Sequence, residues 1–161
     1  MRIFGKTLLE YISFQRIILI LVLIVGLCRL LLSLSGVQNS LVAWFSVTAI
    51  TTLGAFYYSI SVYRSGFGSY KQLLPLLVLQ NTLAQLIVVT GIAIAIFTNK
   101  DNIFTADGFS GPYQGRSWLH AGGHILFGII LLSLGWWAIG SLIMWITKKV
   151  APRPQPSRLP V

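Results

Sequence analysis

The chain has 161 residues, 55% of them hydrophobic and only 9% charged, with a net charge of +9. Soluble domains carry about 25% charged residues, so this composition excludes a water-soluble enzyme and leaves no room for an extramembrane catalytic domain. The basic residues sit beside apolar runs, where anionic lipid headgroups account for them, and no nucleic acid is expected as a partner.

Residues 1–16 place Phe4, Leu8, Tyr11 and Ile12 on one side and Lys6, Glu10 and Ser13 away from them. That pattern predicts a short amphipathic helix lying in the cytoplasmic interface. Four apolar stretches follow, at about 17–35, 41–62, 75–97 and 118–146. A bilayer core of about 30 Å needs ~20 mostly apolar helical residues, and each stretch meets or nearly meets that. The predicted fold is therefore an all-α integral membrane protein: a four-transmembrane-helix antiparallel bundle over 17–147, followed by a basic, Pro-rich cytoplasmic tail at 148–161.

The first span follows a basic start but has no A-x-A-like cleavage site, so it is expected to be a retained helix rather than a signal peptide. Its single cysteine, Cys28, rules out an internal disulfide and reads as a small hydrophobe. Arg29 interrupts the same span. A central arginine costs about 2.5–3.5 kcal/mol on insertion scales, so it calls for a partner, a cavity or snorkelling to the headgroups. No carboxylate lies within the spans to pair with it.

Span two carries Thr48, Thr51 and Thr52, and span three carries Gln80, Asn81, Thr82 and Gln85. Polar side chains in hydrocarbon must hydrogen-bond, most often as glue between helices. The competing use is a polar lining for a ligand or a transported species. Between these spans, Ser65-Gly66-Phe67-Gly68-Ser69 reads as a turn rather than a phosphate loop, since no strand precedes it. Pro75 is expected in the first turn of span three.

The connection at 98–117 is turn-rich, and its aromatics Phe104, Phe109 and Tyr113 are expected to fold back onto the helix ends. Beyond it, Trp118-Leu119-His120-Ala121-Gly122-Gly123-His124 holds two histidines four apart, hence on one helical face and within reach of one metal ion. Asp101 and Asp107 share that side and are the candidate further ligands. A haem or chlorophyll-type pigment at His124, with Arg29 neutralising an anionic group, is the other cofactor reading, and His120 is included in that site. The bland alternative puts Trp118, His120 and His124 at the headgroup level, with Gly123, Gly128, Gly135 and Gly140 allowing close helix contact. Trp136 and Trp137 lie deeper and read as packing or lipid-facing.

Nine of the twelve Lys and Arg residues fall in the N-terminal tail, the 63–74 connection and the C-terminal tail. This bias places both termini in the cytoplasm and the loops at 36–40 and 98–117 on the outer side, with a bacterial-type plasma membrane as the simplest location. Without an acid pair or a nucleophile beside a base, no independent enzyme is expected. The first functional expectation is a small non-catalytic accessory subunit of a larger membrane complex, packing against other subunits or a second copy of itself. The alternatives are a metal-, haem- or pigment-binding protein using His120 and His124, and a small oligomeric transporter or channel lined by Thr48, Thr52, Asn81 and Gln85.

Overall fold

The computed structural model describes residues 2–109 and 115–151, so the tail beyond 151 and part of the long loop, Tyr113 included, lie outside the described residues. Helix α1 spans Leu8–Leu34, a short α2 spans Asn39–Val42, α3 spans Val47–Arg64 and α4 spans Tyr70–Thr98. The last span is composite: α5 covers Trp118–Gly123, a π-helical segment covers His124–Leu131, and α6 covers Leu132–Val150. Four helical units are thus long and apolar enough to cross a membrane.

The N-terminus departs from the sequence expectation. Arg2–Ile3 and Lys6–Thr7 form a two-stranded antiparallel hairpin (β1 and β2), turned at Phe4 and Gly5 with φ of 49° and 86°. There is no separate interfacial helix: residues 8–16 are the first turns of α1. Thr7 starts that helix by accepting from the Glu10 amide at 3.2 Å, while Glu10 returns to the Thr7 amide at 2.7 Å, so the orphan donors of the first turn are met locally. Tyr11 then anchors the hairpin through a 2.9 Å bond from its hydroxyl to the Ile3 carbonyl.

Three further boundaries move. Span two is broken at residues 43–46, because the Ser46 hydroxyl accepts from the Ala49 amide at 3.1 Å and begins a new helix there. Span three starts at Tyr70, so Pro75 lies inside α4 rather than in its first turn. Span four continues to Val150, and Lys148 and Lys149 belong to its last turn rather than to the tail. Each lysine lies over an aromatic ring at 3.8 Å, Tyr70 and Trp145 respectively.

Helix α4 is the hub, packing against α1, α3, α6 and the π segment. Around one end, Tyr11, Tyr58, Leu73, Leu76, Leu77 and Met144 are fully buried in a single cluster. At the other end, Leu30, Val42, Ile87 and Ile92 close on Ile103, Phe104 and Ala121. The loop after α4 therefore contributes to the core, as its aromatics predicted for Phe104. Helix α4 stops where Asn99 takes the left-handed conformation, φ 55°. Asn102 then clamps the loop down through 2.7 Å to the Gly91 carbonyl. Gly91 must lack a side chain, since a Cβ would come within 2.4 Å of the Phe104 ring.

Burial runs opposite to that of a water-soluble domain. Ile17, Leu53, Leu86, Leu119 and Leu142 are exposed, while Gln15, Gln80, Asn81 and Ser133 are buried. Soluble proteins leave scattered apolar residues on the surface but seldom bury amides in preference to them.

Candidate functional site

Toward the end covered by the 99–109 loop, the bundle holds a partly open cavity of about 180 Å³. Arg29 of α1, Thr48 and Thr51 of α3, Asn81 and Gln85 of α4, and His124 at the start of the π segment line it, with Phe104 and Phe109 from the loop. Residues that the sequence offered as three separate puzzles thus share one space. Thr52 is not among the lining residues.

Two neighbouring amides of α4 are tied to other helices. Asn81 donates to the Ser133 hydroxyl at 2.9 Å, fully buried between α4 and α6. Next to it, Gln80 donates to the Thr51 carbonyl at 2.8 Å, and Gly54 leaves the room this needs, because a Cβ there would lie 2.4 Å from the Gln80 oxygen. These bonds match the helix-gluing use of buried amides. A double-mutant cycle of Asn81→Leu and Ser133→Ala should return a coupling of about 0.6 kcal/mol, the usual value for such pairs in membranes. Reversible unfolding in mixed micelles measures it.

The two histidines are joined through their ring nitrogens. Ser117 caps α5 by accepting from the His120 amide at 3.1 Å. One turn later His124 lies on the same face as His120, and their Nε2 atoms are 3.2 Å apart. His120 Nδ1 lies 2.9 Å from the Gly115 carbonyl, so it carries the hydrogen and donates. His124 Nδ1 lies 2.8 Å from Gln85 Oε1. Gly128 makes that second contact possible: a Cβ there would fall 2.4 Å from Gln85 Cδ. Of the other glycines expected to permit close packing, Gly140 does so against Ser59, whereas Gly123 and Gly135 face open space. Trp137 is a packing residue, its indole donating to the Tyr70 carbonyl at 2.8 Å, and Trp136 packs edge-on against Phe56 at 5.7 Å.

The wider ligand set of two histidines with Asp101 and Asp107 is not assembled. Asp101 accepts from Thr105 at 3.0 Å and pairs with Arg116 at 3.6 Å, and Asp107 is exposed. Among the described residues no three His, Cys, Asp or Glu side chains gather around one point. The cavity, at about 180 Å³, is smaller than the ~300–1,000 Å³ of typical ligand pockets.

Sequence reasoning missed Ser133, the Gly115 carbonyl and Gln85 as the partner of His124. Ser133 sits in an apolar run with nothing local to mark it, and the other two pairings join distant parts of the chain or use the main chain. The chain matches no protein-family model, no curated protein and no solved structure.

Proposed function

We propose that this chain is a four-helix integral membrane protein, antiparallel and with both termini in the cytoplasm, that binds a transition-metal ion through His120 and His124. Four long apolar helices with outward-facing hydrophobic side chains support insertion, and the distribution of Lys and Arg supports the orientation.

The observation that carries the metal reading is the pairing of the rings. Both Nδ1 atoms face oxygen acceptors, at 2.9 Å and 2.8 Å, and both Nε2 atoms face each other at 3.2 Å. With a hydrogen on each Nδ1, each neutral ring has its lone pair on Nε2. Two lone pairs at that distance repel unless a cation stands between them. Imidazole ligands hold zinc at about 2.0–2.1 Å, so nitrogens 3.2 Å apart subtend about 100° at the ion, close to tetrahedral. Donation of the second ring nitrogen to a carbonyl is the outer-shell arrangement common to metal-binding histidines. The cavity beside His124 leaves space for water or a ligand on the remaining positions.

The test is equilibrium dialysis of the purified protein in a mild detergent against Zn²⁺. One ion per chain is the expected result. The opposing hydrogen placement has Gln85 turned over and His124 Nε2–H donating to His120, which closes the pair without a cation. Absence of specific zinc and copper binding would end the metal proposal and leave the pair closed by a hydrogen between the two rings.

The accessory-subunit expectation remains a second reading, favoured by one feature. An open apolar groove runs along the last span between Phe127, Leu131, Gly135, Trp136 and Ile139, with space above Gly135 for a partner's side chain.

A further inference from the structure

Three acidic side chains exist in the whole sequence, and none compensates Arg29. Glu10 pairs with Lys6 at 3.1 Å at the opposite end of α1. Asp101 is held by Arg116 at 3.6 Å. Asp107 is exposed in the loop, and among the described residues Arg29 has no ion pair. What Arg29 does have is neutral: the Phe45 carbonyl at 3.3 Å and the face of the Phe104 ring at 5.5 Å. Its Nε is buried and has no hydrogen-bond partner.

A guanidinium in a membrane span is expensive unless it is paired or opens onto a polar space. Arg29 opens onto the cavity, whose polar lining also includes Thr48 and Gln85. With Gln85 Oε1 turned to His124, its amide nitrogen is left to donate. The Thr48 hydroxyl lines the same wall, while the Thr51 hydroxyl donates to the Thr48 carbonyl at 3.1 Å. A volume of about 180 Å³ is room for about six waters at ~30 Å³ each, or for one small anion with water around it.

We infer that this cavity binds a small oxyanion, of the carboxylate or phosphate class, with Arg29 supplying the counter-charge. A planar guanidinium matches the paired oxygens of either group, which a halide does not offer. The inference rests on Arg29 and the inventory of acids, which are the same whether or not the histidines hold a metal; the Gln85 amide adds a donor only when its oxygen faces His124. A metal at His124 would add positive charge to the same space and strengthen anion binding.

Thermal-shift titrations test it, using the protein in neutral detergent with acetate or phosphate replacing chloride at constant ionic strength. A saturable rise in Tm with either oxyanion is expected, and Arg29→Gln should weaken it by about 10–100-fold, the range for hydrogen bonds to a charged group. Thr48→Val keeps the charge and should weaken binding by about 2–10-fold, which preserves the test if Arg29→Gln does not fold. In nanodiscs, stabilisation by phosphatidylglycerol over phosphatidylcholine that Thr48→Val diminishes would identify a lipid headgroup as the source of the oxyanion. Equal responses to acetate, phosphate and chloride, with no preference for anionic lipid, would overturn the proposal. Arg29 would then be only a clamp between α1, the Phe45 carbonyl and Phe104. Zinc binding measured on the same samples reports on the histidines separately.

Discussion

Replacing His124 with alanine should abolish specific zinc binding while leaving a folded four-helix protein. Under the proposed function the two imidazoles act as a chelate, and joining two ligands in this way multiplies affinity by about 10²–10⁴. His124→Ala leaves His120 as a lone ligand, so the affinity should fall at least ~100-fold. The same loss can be read as stability. At a zinc concentration about 100 times Kd, the bound protein gains about 2.7 kcal/mol against unfolding, and the variant should show none of it. His120→Ala is the necessary companion, because it removes the other ligand but keeps the 2.8 Å contact between His124 and Gln85. Equal loss of zinc in both variants supports shared ligation. If His124→Ala alone is destabilised, and neither wild type nor variant responds to zinc, the pair is hydrogen-bonded glue.

Gln85→Leu is expected to weaken zinc binding by about 10–100-fold without touching a ligand atom. Outer-shell acceptors fix the ring orientation and tautomer of the histidine they hold, and their removal typically costs that factor. Gly128→Val should produce the same defect from a different residue. Its new Cβ would stand 2.4 Å from Gln85 Cδ, so the amide must leave its seat and release His124 Nδ1. Since both changes act through one contact, their effects should not add in the double variant. Competition against a zinc-sensitive dye in detergent measures all three. Unchanged affinity in Gln85→Leu would mean that the glutamine only fills space against Gly128.

The spans were legible because an apolar run of ~20 residues has one economical use. Their ends were not. The break between Val42 and Val47 depends on a serine hydroxyl closing a helix start, which a hydropathy run cannot register, and Arg16 was read as a border although α1 passes through it unaltered. The site was legible residue by residue. Arg29, Thr48, Asn81, Gln85 and His124 were each identifiable as costly in hydrocarbon, and the fold brings all five to one cavity. Their convergence could not be read, because a helical period says which residues share a face but not which faces meet. The aspartates were misjudged for a related reason. They share a side of the protein with the histidines, yet Arg116 competes for Asp101 at shorter range in the sequence and prevails.

The π-helical turn between His124 and Leu131 gives the fourth span a property that an uninterrupted α-helix lacks. In an α-helix each residue advances the face by about 100°, so the orientation of one end dictates that of the other. A wider turn absorbs an extra residue and uncouples them. The histidine end can then be aimed at Gln85, while Trp137 and Gly140 beyond the turn are aimed at Tyr70 and Ser59. The span works as two rotors on one axle, each set to its own bearing, so changes to the packing near Trp137 need not swing the histidines out of line.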